Sequence, residues 1–190
     1  MVKKQLGPTT NLLPMPAVLL SVKTDGGANL MTVAWVGVIG GQPPMLALEV
    51  GARHYTTPFL EREGCFTVNI PTADMAIGVD YCGSVSGQQV PDKAATCGCT
   101  LVPARFVSAP LVAECPVNLE CRVVEKIAAG QGWFYLAQIV ETHVDQDALD
   151  GRGQLAAQAV NPLIFTPDGE YYALGEHLGK AWRIGRTLVQ

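Results

Sequence analysis

The chain has 190 residues, 48% of them apolar and 16% charged, which is enough for one globular domain with a substantial core. A net charge of −4 gives no electrostatic reason to expect nucleic acid or an anionic membrane as partner. Charges and turns interrupt every apolar run before membrane-spanning length, and 20 glycines with 13 prolines suit a turn-rich β protein better than a helical bundle.

The basic start at Val2-Lys3-Lys4 leads into an apolar stretch that contains Pro14 and Pro16 and no small-residue cleavage pattern. It reads as a first strand rather than a secretory leader, and a cytoplasmic protein is expected. Ala17 to Lys23 is a buried strand, turned by Asp25-Gly26-Gly27 into a second. The second strand, Asn29 to Gly37, alternates loosely and has small residues at Ala34 and Gly37, which let a ligand approach the backbone.

Gly40 to Pro44 is a turn and Met45 to Val50 an alternating strand. A basic, hydroxyl-rich turn follows from Arg53 to Thr57. Thr57 is suited to cap a short helix, with Pro58 in its first position and Gly64 as its stop. A helix opening there presents free N–H groups and a positive dipole end beside Arg53, His54, Tyr55 and Thr56, a ready receptor for a phosphate. Taken alone, the same residues also fit an ordinary capped helix beside a solvated turn.

Cys65 to Ile70 is the next strand, and Thr72 caps a second short helix, Ala73 to Tyr81, that ends near Gly83. Ser84 to Gln89 is a polar loop and Asp92 to Thr96 a short helix. From Asn118 to Asp145 two strands are joined near Ala128 to Gln131, the second long enough to curve across a barrel. Leu119, Cys121 and Val123 alternate with Asn118, Glu120 and Arg122, the period of a half-buried antiparallel strand. Gln146 to Gln158 is a loop with a weak helical turn. Asn161 to Thr166 and Glu170 to Leu174 are paired strands about a Pro167-Asp168-Gly169 turn, and the tail from Gly175 to Arg186 wraps the surface.

The order of these motifs is similar to the flavin reductase-like family of FMN-binding split barrels, and within it to flavoredoxin-type members. The likeness is carried by Asn29-Leu30-Met31-Thr32-Val33-Ala34-Trp35, Pro43-Pro44, Arg53-His54-Tyr55-Thr56, Phe66-Thr67-Val68-Asn69-Ile70-Pro71, Tyr81-Cys82-Gly83-Ser84-Val85-Ser86-Gly87 with Asp92-Lys93, and Gly175 to Trp182. It implies a mainly β fold: a single domain over residues 1–190, a Greek-key antiparallel split barrel with a few short helices. It also implies bound FMN, with the phosphate at Arg53, His54, Tyr55 and Thr56 and the ring edge along Met31, Thr32, Val33, Ala34 and Trp35. Asn29 and Ser84 complete that set. Lys93 is either a solvated lysine or, as the likeness suggests, a cation that stabilises the reduced ring. Trp35 and Phe165 are each either core aromatics or groups that flank the flavin. The resemblance further implies a homodimer with FMN near the subunit seam.

The remaining chemistry is sparse. His54, His143 and His177 lack metal-cluster spacing, and His143 is expected to be exposed on its strand. No serine sits in a GxSxG elbow, no carboxylate pair stands out, and no GxGxxG marks a dinucleotide domain. No catalytic side chain and no metal ligand is therefore assigned, and a bound cofactor becomes the natural carrier of chemistry. The leading expectation is an NAD(P)H-dependent FMN oxidoreductase that passes electrons to free flavin or a protein acceptor. The alternative is a flavoredoxin-like electron carrier with little direct NAD(P)H activity. A third reading, a thiol or metal protein using Cys82, Cys97 and Cys99, rests on the only close pair, Cys97-Gly98-Cys99, which lacks the usual two-residue spacing.

Overall fold

The computed structural model describes residues 1–188. Its strands in chain order are β1 (Met15–Pro16), β2 (Val18–Thr24), β3 (Gly27–Val33), β4 (Val36–Gly41), β5 (Pro44–Gly51) and β6 (Cys65–Ile70), then β7 (Leu101–Val102), β8 (Leu111–Val112), β9 (Val117–Ala129), β10 (Gly132–Val144), β11 (Ile164–Phe165) and β12 (Tyr171–Tyr172). The helices are α1 (Thr56–Glu63), α2 (Ala76–Ser84), α3 (Lys93–Thr96) and α4 (Ala157–Val160). Seven strands form one antiparallel sheet in the order β3-β2-β6-β9-β10-β5-β4, and β1, β11 and β12 form a small second sheet. The fold is an antiparallel split barrel.

Apolar residues alternating along the strands fill the barrel: Val18, Leu20 and Val22 of β2 meet Leu46, Leu48 and Val50 of β5, Phe66 and Val68 of β6, and Tyr135 of β10. Leu60 of α1 joins this interior. β2 is buried on its other face too, where Ala17 and Leu19 pack with Leu30, Val79, Cys82 and Ala94 beneath α2 and α3. Burial on both faces is why apolar residues follow one another from Ala17 to Leu20 instead of alternating with polar ones.

The stretch expected as one strand from Asn29 to Gly37 is two. β3 pairs with β2, whereas β4 pairs with β5 at the opposite edge of the sheet. The chain crosses between them at Ala34-Trp35, where Val36 N–H donates to Ala34 O at 3.0 Å and Trp35 O accepts from Glu49 N–H at 2.9 Å. The β5 edge thus captures the chain as soon as it leaves β2. The β4–β5 connection narrows to Gln42-Pro43, because β4 persists to Gly41.

The expected half-buried face of β9 is also different. Asn118 and Glu120 are buried on the side read as solvent-facing. Asn118 donates to Asn69 Oδ1 and Val112 O, both at 2.9 Å. Glu120 accepts from the N–H groups of Arg105 (2.8 Å), Phe106 (2.6 Å) and Val107 (3.0 Å) and lies 2.7 Å from His143 Nε2. Burial works against its charge, but the bonds from His143, Arg105 and Phe106 together outweigh it and hold the carboxyl below the ordinary carboxylate range. His143, expected to be exposed, is therefore the partner of a buried carboxylate that tethers the loop before β8.

Candidate functional site

The end of β5, the following turn and α1 form one mouth. Helix α1 starts two residues earlier than expected. Its N-cap is Tyr55, in helical backbone geometry and without a side-chain cap bond. Thr57 does not cap the helix, because its hydroxyl donates to Gly51 O at 2.8 Å and its N–H to His54 O at 3.0 Å. Pro58 sits in the first turn, where a missing N–H costs nothing. Gly64 ends the helix in left-handed geometry (φ 60), as its position suggests. Thr72 precedes a 3-10 turn, Ala73–Met75, that leads into α2, and it too lacks a side-chain cap bond.

Opposite the α1 mouth stands the end of α2 with the loop after it. Together they enclose a polar cleft of about 230 Å³ lined by Asn29, Met31, Arg53, His54, Tyr55, Thr56, Ser84 and Lys93, with Cys82, Gly83 and Val85 to Gly87. Asn29 Nδ2 donates to Thr56 Oγ1 at 2.9 Å, tying β3 to the first turn of α1. Asn29 Oδ1 is buried and has no hydrogen-bond partner among the described residues. Gly87 lies against it: a Cβ there would overlap Asn29 Oδ1 and stand 2.8 Å from Tyr55 Cδ1.

Lys93 is buried, not solvated. Its ammonium donates to Cys82 O at 2.8 Å and Val85 O at 2.7 Å, closing the C-terminal end of α2. Burial lowers its pKa from the ordinary lysine range. A second cavity, of about 310 Å³, lies on the other side of Gly83 and Ser84, which line both, and is also lined by Ala17, Thr32, Ala34, Asp80, Phe165 and Tyr171. The hydroxyl of Thr32 donates to Val79 O, and Gly83 permits this close packing of α2 on β3.

Of the residues singled out from the sequence, Asn29, Met31, Arg53, His54, Tyr55, Thr56, Ser84 and Lys93 thus share one cleft, and Thr32, Ala34 and Phe165 line the neighbouring cavity. Val33 is brought to neither, because its side chain belongs to the barrel core. Trp35 points elsewhere: it is 48% exposed and lines a larger apolar groove of about 760 Å³ between residues 9–16 and β4. No charged side chain lines that groove, whereas the smaller cleft brings Arg53, Lys93 and the unpartnered Asn29 oxygen together, so the cleft is the better candidate for an anionic ligand. Sequence reasoning missed Gly87, Asp80 and Tyr171. The Tyr171 hydroxyl donates to Asp80 Oδ1 at 3.2 Å, and burial with that carboxylate nearby raises the Tyr171 pKa. Only Gly87 carried a sequence signal, as part of the Gly83-to-Gly87 loop. The described residues contain no group of three or more His, Cys, Asp or Glu able to hold a metal ion.

The class of protein the fold defines is an antiparallel split barrel, here with a cleft that sets a guanidinium and hydroxyls beside a buried unpaired acceptor. The chain is a member of the flavin reductase-like family, whose domain model matches residues 10–175. It is similar in structure to the flavoredoxin of Desulfovibrio vulgaris (Miyazaki F), at 34% identity and a TM-score of 0.90 over 97% of this chain and 100% of that one. The flavoredoxin from Methanosarcina acetivorans is comparable, at 33% identity and a TM-score of 0.88 over 98% and 100% of the two chains. The FMN-binding domain of a flavin reductases-like enzyme from Shewanella baltica shares the fold at 24% identity, with a TM-score of 0.75 over 87% and 88%. No helix among the described residues is long and apolar enough to cross a membrane.

Proposed function

We propose that this protein binds FMN in the cleft and acts as an NAD(P)H-dependent oxidoreductase, passing electrons on to free flavin or a protein acceptor. The observation that carries the reading is the pair of neighbouring cavities that meet at Gly83 and Ser84, from the α1 mouth to β3, with a buried, unpartnered acceptor at Asn29 Oδ1. Arg53 and the Thr56 N–H at the start of α1 would hold the phosphate, with the Ser84 loop beside them; Thr57 N–H is taken by His54 O and Pro58 has none. Asn29 Oδ1 would accept from a hydroxyl of the sugar-alcohol chain, an interaction worth more because the atom is buried and otherwise unsatisfied. Thr32, Ala34 and Phe165 would receive the ring. When bound, FMN supplies two-electron hydride chemistry, and the protein's share is placement, electrostatics and exclusion of water. Lys93, already committed to two carbonyls, would act as a fixed positive charge behind the cleft.

The exposed apolar residues Val38 and Ile39 on edge strand β4, next to Trp35, support a homodimer in which a second subunit covers this edge. The six free cysteines favour a cytoplasmic setting. A second reading, an electron carrier that works only with redox proteins, is favoured by the likeness to two flavoredoxins. Stopped-flow mixing of the FMN-loaded protein with NADH and with NADPH separates the two. Rapid loss of flavin absorbance supports the oxidoreductase, and loss only after a reduced redox protein is added supports the carrier. Protein that cannot be reconstituted with FMN overturns both.

A further inference from the structure

We propose that Cys82 and Cys97 are an oxidisable dithiol, converted by a peroxide into a disulfide that clasps the wall of the cleft. Cys82 lies in the last turn of α2 and Cys97 at the end of α3, and their sulfurs are 3.0 Å apart as free thiols. The approach is built into the fold. Gly78 lies one helical turn before Cys82, and a Cβ there would stand 3.0 Å from the Cys97 carbonyl oxygen and 3.3 Å from Cys97 Cβ. Cys97 thus occupies the space a side chain at Gly78 would need.

Lys93 fixes the same pair from the other side. Its carbonyl accepts from Cys97 N–H at 3.0 Å, and its ammonium donates to Cys82 O at 2.8 Å. Bonding needs the sulfurs to close by about 1 Å, a movement within reach of small side-chain rotations.

The two thiols have different roles. Cys82 is 1% exposed, and burial pushes its thiol well above the ordinary range. Cys97 is half-buried and lines a cavity of about 410 Å³ with Tyr81, Thr96, Cys99 and Glu114, so it meets the oxidant first. The Cys97 thiolate attacks one oxygen of hydrogen peroxide, the O–O bond breaks, and the departing hydroxide takes a proton to become water. The Cys82 sulfur then attacks the Cys97 sulfenic sulfur, an S–S bond forms, and the second oxygen leaves as water with the Cys82 proton. Two thiols are oxidised by two electrons and one peroxide is reduced to two waters. The new bond closes a loop over residues 83–96, which includes the Gly83-to-Gly87 wall of the cleft and Lys93, and restricts the open conformations of that loop.

The test is peroxide treatment of the reduced full-length protein, followed by thiol labelling, peptide mapping and hydrogen exchange. Two of the six thiols should lose reactivity, the chain should lose two hydrogen atoms in mass, and one linked peptide pair should join Cys82 to Cys97. Amides across residues 83–92 should exchange several-fold more slowly, and dithiothreitol should reverse every change. Cys97→Ser should form no link. Gly78→Ala, which keeps both thiols but displaces Cys97, should slow bond formation several-fold. A link through Cys99 instead, stable sulfinic acid on Cys97 with no link, or unchanged cross-linking in Gly78→Ala would overturn the proposal. These readouts are covalent and do not depend on flavin being bound.

Discussion

Gly87→Ala tests the cleft where its packing is tightest. A methyl group at this position overlaps Asn29 Oδ1 and stands 2.9 Å from Asn29 Cγ and 2.8 Å from Tyr55 Cδ1, all inside ordinary carbon contact. Neither neighbour yields freely. Asn29 is 3% exposed and bonded to Thr56 Oγ1 at 2.9 Å, and the Tyr55 ring packs edge-on against Phe59 with centroids 5.0 Å apart. If the loop lifts, overpacking costs about 1–3 kcal/mol. If Asn29 rotates instead, its bond to Thr56 is lost at a cost of about 1 kcal/mol. Either movement reshapes the wall or the floor of the cleft, so FMN affinity should fall roughly tenfold to a hundredfold, at about 1.4 kcal/mol per factor of ten. Gly26→Ala is the control, because nothing lies within 4 Å of its added Cβ. Flavin fluorescence quenching gives the dissociation constant of each variant. An affinity for FMN in Gly87→Ala equal to that of Gly26→Ala would refute the placement of the ligand between this loop and Asn29.

Three further outcomes are expected. Arg53→Ala should weaken FMN binding by about 1 kcal/mol, the low end for a charge-assisted bond because the side chain is exposed and screened, and the effect should shrink at high salt. Isothermal titration at two ionic strengths measures it, and an affinity independent of both the substitution and the salt would place the phosphate elsewhere. Lys93→Met preserves bulk but leaves Cys82 O and Val85 O without their donor, so urea unfolding should show a loss of about 1–3 kcal/mol even without flavin. Glu120→Gln should destabilise the protein by about 3 kcal/mol at neutral pH, since three backbone N–H groups and His143 lose a charged acceptor. The native carboxyl titrates below its unfolded value of about 4.3, so its contribution is full above that pH and is lost as pH falls through the native value. The difference between wild type and Glu120→Gln should therefore vanish in acid, and a difference that persisted there would show that the charge is not what holds the loop.

Much of the architecture was legible because its signals are local. Cys65–Ile70 is found with the expected bounds, Gly64 stops α1 in left-handed geometry, and the turn at Asp25-Gly26 joins β2 to β3. Each follows from alternation or from a residue's own backbone freedom, which need no distant partner. The residues from Arg53 to Thr56 were likewise legible as one cluster, being consecutive in the chain.

What the linear chain could not specify depends on groups that meet only after folding. The break at Ala34-Trp35 exists because β5 offers a second edge, with Glu49 N–H donating to Trp35 O. Thr57 is no cap because Gly51 O takes its hydroxyl first, and Glu120 is buried because the loop from Arg105 to Val107 aims three N–H groups at it. The unpaired oxygen of Asn29 and the contact of Cys82 with Cys97 are of the same kind. A side chain's own chemistry states what it can donate, accept or bury, and the folded chain decides which partner arrives, because hydrogen bonds and packing act only over a few ångströms.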